Sequence, residues 1–192
     1  QYASACGKKG CAVLLDCKTL EREYVPVQLK GAEIVIANCK KPHNLVESKY
    51  NERRAETEEA LRLLKTKADI SCLAELTPEK FAEISSVLEG NVYKRAKHVV
   101  EECARVHEAA KAMKAGDAVR LGKLFNASHA SLRDLYEVTG RELDALAAAA
   151  QSHPACFGSR MTGAGFGGCT VSLVKEGEKE DFIKHVAEEY KK

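Results

Sequence analysis

GSRMTGAGFGGCTVSLV, residues Gly158 to Val174, places five glycines within eleven residues and then passes directly into a β-branched run. Gly163, Gly165 and Gly168 spell G-x-G-x-x-G, which in dinucleotide-binding folds follows a strand and opens a helix, so that a pyrophosphate meets the helix N-terminus. Here the expected order is reversed. The alanine-rich stretch Glu142 to Ala150 predicts a helix before the glycines, and Cys169 to Val174 predicts a strand after them. No G-x-x-x-x-G-K-[ST] stretch is present. The segment therefore reads as a helix-to-strand connection with more glycine than a turn requires. Such a surplus suits a place where backbone approaches another segment, or a phosphate, closely.

Strand signals gather at the two ends of the chain. Cys11 to Cys17 is a compact apolar run, Glu23 to Leu29 alternates, and Glu33 to Asn38 is rich in β-branched residues. Pro26 lacks a ladder donor and predicts an edge strand. Between these and the glycine loop the periodicity is helical. Helices are expected over Tyr2 to Cys6, Ser48 to Lys65, Glu79 to Leu88, Val92 to Lys114, Asp117 to about Tyr136, and Glu142 to Ala150, with a last one from Glu180 to Tyr190. Thr77-Pro78 reads as an N-cap with proline at the first helical position. Gly116 followed by Asp117 reads as one helix ending and the next being capped. The expected class is α+β, an antiparallel sheet packed against helices.

Composition narrows the function classes. The 30 basic and 28 acidic residues nearly cancel, and pairs such as Lys8-Lys9, Lys40-Lys41 and Arg53-Arg54 are scattered. A nucleic-acid surface would cluster them on one face, so no nucleic-acid partner is expected. No apolar run approaches the length of a membrane span, and a cytoplasmic location is expected. The eight cysteines form no C-x-x-C pair, and the six histidines supply no i, i+4 partner, so neither a zinc site nor a disulfide scaffold is expected. Cys11, Cys17, Cys39 and Cys169 are read as small hydrophobes. Cys156 and Cys169 flank the loop without a neighbouring base, and His98, His107 and His129 are assigned to packing or surface.

Taken with other stretches, the glycine loop resembles the third signature motif of the GHMP kinase superfamily, and of galactokinases in particular. Val46 to Ala60 (VESKYNERRAETEEA) is similar to the galactokinase stretch in which Ser, Tyr and paired Arg enter a helix. Arg95 to Glu102 and Ser128 to Val138 resemble the helical middle that follows, and Glu142 to Leu146 the helix before the loop. The resemblance implies a ferredoxin-like C-terminal domain over residues 1–192, with a strand-rich segment, about residues 1–40, joining an N-terminal half. It implies ATP-dependent phosphorylation of galactose at its 1-hydroxyl, with Mg²⁺ on the phosphates.

Of the family's sugar contacts, Tyr50 is the one that maps onto this chain. Gly163, Gly165, Gly167 and Gly168 map to the loop near substrate and phosphates, with Ala164 where relatives often carry a third glycine. The family's catalytic Asp stands before a Gln-aromatic pair, so Gln1-Tyr2 places it just ahead of Gln1. The chain is thus expected to lack the base and the phosphate loop, to bind neither ATP nor a metal by itself, and to be inactive alone. Pro42 departs from the family pattern, and His43 receives no role. Arg160 reads equally as a phosphate contact or as a brace to a carboxylate. A sister N-acetylgalactosamine kinase and a non-catalytic galactokinase-like sugar sensor remain the alternatives.

Overall fold

The computed structural model describes residues 2–41 and 46–191; Gln1, Pro42 and His43, named above, lie outside them. After the short helix α1 (Tyr2–Cys6), β1 (Cys11–Leu15) and β2 (Arg22–Pro26) form an antiparallel hairpin. Asp16 shapes its turn by accepting the N–H groups of Lys18 and Thr19 at 2.7 and 3.0 Å, the self-capping that makes Asp a turn residue. Pro26 sits in a strand with a single neighbour, as an edge requires.

The helical middle follows the boundary signals. Helix α2 (Val46–Leu64) leads to α3 (Pro78–Ile84), whose N-cap Thr77 accepts the Lys80 N–H. Helix α4 (Gly90–Ala115) stops at Gly116, which takes left-handed backbone at φ 70° and donates to the Ala112 and Met113 carbonyls. Asp117 then caps α5 (Ala118–Ser131) through the Arg120 N–H. Helix α5 runs into a π-helical turn, Leu132–Tyr136, closed by Glu137 at φ 56°. Helices α6 (Arg141–Gln151) and α7 (Lys179–Glu189) complete the set.

The second sheet has the order β3-β5-β4, all antiparallel, from β3 (Ala32–Asn38), β4 (Cys156–Met161) and β5 (Cys169–Lys175). Strand β4 corrects the helix-to-strand reading of the glycine stretch. Gly158 to Met161 are strand, and the glycines after them connect two antiparallel neighbours. The dinucleotide reading is no better served, because β5 and not a helix follows the loop. From β3 onward the succession β-α-β-β-α is that of the split ferredoxin-like motif.

Neighbouring residues on β5 point to opposite faces, and the core divides accordingly. Leu173 packs with Ala112 and Leu121 of α4 and α5, whereas Val174 packs with Leu143 and Leu146 of α6 and Phe182 and Val186 of α7. A third cluster, including Leu64, Phe81 and Val100, holds α2, α3 and α4 together. Helix α5 lies on β4 at backbone contact. A β-carbon on Gly122 would fall 2.2 Å from the Phe157 carbonyl oxygen, and one on Gly158 would fall 1.9 Å from that of Gly122. Asn126 and His129 fasten the same pair of elements, accepting the N–H groups of Ser159 at 2.9 Å and Met161 at 3.2 Å.

Candidate functional site

The β4–β5 connection doubles back through a run of unusual backbone. Gly165, Phe166, Gly167 and Gly168 all have positive φ, at 85°, 58°, 142° and 95°. For a phenylalanine this conformation carries strain on the order of 1–3 kcal/mol, which surrounding structure has to hold in place. Two bonds do so. The Phe166 N–H donates to the Val138 carbonyl at 2.7 Å, and the Gly168 carbonyl accepts the Cys39 N–H at 2.9 Å. At Gly165 the residue type is dictated by contact as well as by φ, because a β-carbon there would lie 2.0 Å from the Val138 carbonyl oxygen. This is the close approach that the glycine surplus predicted, and its partner is the chain's own segment after the π-helical turn.

That segment, the loop and α2 enclose a pocket of about 180 Å³ lined by Tyr50, Arg53, Leu132, Tyr136, Val138, Gly163, Ala164 and Phe166. Two of the residues singled out from sequence, Tyr50 and Gly163, thus meet in one cavity although they are far apart in the chain. Gly165 is turned inward against Val138, and Gly167 and Gly168 are not among the lining residues. Tyr50 is 57% exposed, so its ring forms the open side of the pocket. Its lining is mostly apolar and includes two phenols, Tyr50 and Tyr136, a surface able to take the C–H face of a small polyol and to hydrogen-bond its hydroxyls.

Arg53 is the cation in this lining, and its donors are already spent. Nε donates to the Tyr136 carbonyl at 2.7 Å, and the terminal nitrogens reach the Glu137 carbonyl at 3.3 Å, Glu52 at 2.9 Å and Glu56 at 3.2 Å. Arg160 is likewise braced rather than free. It pairs with Glu102 at 3.4 Å and donates to the Met161 carbonyl at 3.0 Å; Glu102 in turn accepts the Ser128 hydroxyl at 2.6 Å and pairs with Arg105. No acidic side chain lines the pocket, and among the described residues no three His, Cys, Asp or Glu side chains gather as a metal site would require. The donor set that the described residues bring to this pocket therefore does not fit Mg²⁺, and the two arginines nearest the loop, Arg53 and Arg160, are both engaged by protein partners.

His98 and His129 are core residues of α4 and α5, whereas His107 is exposed. The His98 ring stacks on Tyr136 at 4.5 Å between centroids, with Nδ1 2.9 Å from the Ser131 hydroxyl. Burial depresses its pKa to about 4, against a weaker opposing pull from Glu102. Burial also lowers that of His129, whose Nε2 lies 3.2 Å from Asp144 without the alignment of a hydrogen bond.

A histidine with a folded pKa below its unfolded value of 6.5 is protonated first in the unfolded chain. Its effect on stability is therefore nil above pH 6.5 and turns unfavourable as pH falls towards 4. For His98 the loss between pH 7 and pH 5 amounts to about 2 kcal/mol. Urea unfolding at the two pH values is expected to show this loss and to show it reduced in His98→Asn; an identical pH dependence in the variant contradicts burial of the neutral ring.

Among the cysteines, Cys39 is buried as expected, while Cys17 is exposed on the hairpin turn and does not pack as a hydrophobe. Burial pushes the Cys156 thiol up to about 11, which removes it as a nucleophile. A larger open cleft of about 630 Å³ lies elsewhere, between the hairpin turn and residues 65–75. Its Lys18 is held by Glu75 at 2.6 Å and Ser71 at 2.7 Å, and that ammonium draws the Glu75 carboxyl down to about 2.

Comparison with known proteins finds a family match over the C-terminal part of the chain. Residues 109–192, which carry α5, the π-helical turn, α6, the glycine loop and its two strands, match the family model "GHMP kinases C terminal". Those residues are a GHMP kinase C-terminal domain. Individual proteins match nearly the whole chain. Galactokinases of Clostridium beijerinckii and of Lactococcus lactis subsp. cremoris are 49% and 51% identical to it over 191 residues, 99% of this chain and 49% and 48% of theirs.

The crystal structure of Lactococcus lactis galactokinase complexed with galactose superimposes with a TM-score of 0.95 at 48% identity, covering 99% of this chain and 49% of that one. A mevalonate kinase from L. major, in complex with R-mevalonate, shares the fold at a TM-score of 0.58 and 19% identity. The GHMP kinase C-terminal domain and the residues before it thus span about half the length of the curated relatives they match, corresponding to the C-terminal half. No helix of the described residues is long and apolar enough to cross a membrane.

The wall between Tyr50 and the loop was not singled out from the sequence. Leu132, Tyr136 and Val138 line the pocket from within a stretch noted for its resemblance and given no role in the site. A Tyr next to a residue that must take left-handed backbone, Glu137, is a weak signal that only the packed structure makes readable.

Proposed function

We propose that the intact protein transfers the γ-phosphoryl group of ATP to the 1-hydroxyl of galactose, and that this chain contributes the C-terminal side of the sugar site. The carrying observation is the convergence of Tyr50 and the Gly163–Gly168 loop on one small, phenol-lined pocket. Near-complete alignment of the chain with galactokinases at about half identity supports the choice of sugar. On this reading the Tyr50 hydroxyl hydrogen-bonds the sugar and its ring covers one face. Gly163, Gly165, Gly167 and Gly168 keep the loop compact beside the substrate and the phosphates.

Phosphoryl transfer is mainly positioning and charge stabilisation. The pocket offers neither a carboxylate base nor a free cation, so the reading assigns the base, the phosphate loop and Mg²⁺ to the N-terminal half, with ATP held there. The thiols are free, Cys39 among them buried, in keeping with a cytoplasmic enzyme.

Tyr50→Ala in the intact protein is expected to weaken galactose by about 1–2 kcal/mol, the worth of one hydrogen bond and some packing, while the KM for ATP stays within about twofold of wild type. Equal losses for both substrates indicate distortion of α2 instead. The function itself is tested by offering galactose and N-acetylgalactosamine separately with ATP. Faster phosphorylation of galactose supports the reading. Preference for the amino sugar, or galactose binding without turnover, replaces it by the sister kinase or by the sensor.

A further inference from the structure

The wall of the pocket is held from behind by an ionic lattice whose guanidinium groups are buried and whose carboxylates are partly exposed. Arg95 on α4 is completely buried and Arg53 on α2 is 5% exposed. Arg95 donates to Glu56 at 2.7 Å, to Glu137 at 2.8 Å and to the Leu135 carbonyl. Arg53 takes the next two carbonyls, those of Tyr136 and Glu137, and shares Glu56 with Arg95. Two guanidinium groups from two helices therefore collect three successive carbonyls at the end of the π-helical turn, together with the carboxylate of the residue that closes it.

Lattices of this kind are poor sources of stability, since desolvating the charges offsets most of their attraction; fixing one arrangement is the better-attested use. What this one fixes is identifiable. Leu132, Tyr136 and Val138 line the pocket, and the Val138 carbonyl receives the Phe166 N–H that pins the strained tip of the glycine loop. Arg95 is not among the lining residues, yet it holds the Leu135 carbonyl and the Glu137 carboxylate, which flank the lining residue Tyr136.

We propose that Arg53 and Arg95 are positioning residues, which set the register of residues 135–138 and thereby the place of the glycine loop against Tyr50. In its catalytic consequence the proposal rests on the sugar-kinase reading above. A lysine in place of Arg95 keeps the charge but lacks the planar fork needed to serve a carbonyl and two carboxylates at once.

The test uses Arg95→Lys and, as the milder isosteric change, Glu137→Gln in the intact protein, with amide exchange and steady-state kinetics on the same preparations. The expected result is at least tenfold faster exchange of the Phe166 amide with the Val171 and Leu173 amides of β5 unchanged, together with at least a fivefold rise in KM for galactose and less than a twofold change in KM for ATP. Unchanged exchange at Phe166, or equal acceleration at Phe166 and β5, overturns the proposal as mere structural support or general loosening. Faster loop exchange with unaltered galactose kinetics overturns it as well. Failure of the wild-type protein to phosphorylate galactose removes the sugar reading alone, because the exchange ratio still decides whether the arginines hold the loop.

Discussion

Gly122→Val is expected to cost the protein about 4 kcal/mol or more, above the usual range for overpacking. The reason is what the new β-carbon meets. The Phe157 carbonyl oxygen and carbon lie 2.2 and 2.3 Å from it, and both belong to a strand hydrogen-bonded into the sheet, so no side chain can swing aside. Helix α5 has to lift from β4, which removes the Asn126–Ser159 and His129–Met161 hydrogen bonds with it. Gly177→Ala is the matched control. It has positive φ at 83° but nothing within 4 Å of its β-carbon, so the expected cost is about 1 kcal/mol of backbone strain. Thermal unfolding of the two variants side by side measures the difference; comparable losses contradict the backbone-contact account of α5 on β4.

Gly165→Val is expected to lower kcat/KM at least tenfold, about 1.4 kcal/mol or more in transition-state stabilisation, on the proposed sugar-kinase reading. It combines strain at φ 85° with a 2.0 Å encounter with the Val138 carbonyl. That carbonyl is the acceptor for Phe166, so the substitution opens the bond that pins the loop and pushes the pocket wall away from Tyr50. Stability falls too, by about 1–3 kcal/mol for the strain with the encounter with the Val138 backbone adding to it, so activity is compared per folded molecule. Kinetics and thermal unfolding on one preparation separate the two effects. Full activity per folded molecule would reduce the loop to a connection between β4 and β5.

Much of this architecture was legible because its signals are local. Thr77-Pro78, Gly116 and Asp117 mark helix boundaries through their own side chains or their own φ. The glycine surplus at 158–168 announced a close approach before its partner was known. Strand β4 was not legible for the same reason: Gly158 reads as loop, whereas in the sheet it is the residue that lets helix α5 touch the strand. Its counterpart Gly122 sits mid-helix, where a glycine is costly unless something packs against it, and the two together form the signal that single-position reading misses.

Within the site, Tyr50 and the loop stood out by motif. The roles of Arg53, Arg95, Glu56 and Glu137 depend on pairings about 40 and 80 residues apart in sequence, such as Arg95 with Glu56 and Arg53 with the Glu137 carbonyl. An arginine in a helical pattern looks like a solvated one until the fold buries it. Arg160 shows the opposite outcome, since the carboxylate brace weighed for it is present as Glu102.

The central claim is that this chain supplies one side of a galactose-phosphorylating site and needs a second half for the chemistry. It is tested most directly by incubating the intact protein, and separately the 192-residue chain, with ATP, Mg²⁺ and galactose and measuring galactose 1-phosphate. The account predicts turnover by the intact protein and none by the chain alone. Galactose 1-phosphate formed by the isolated chain, or none formed by the intact protein, would contradict it.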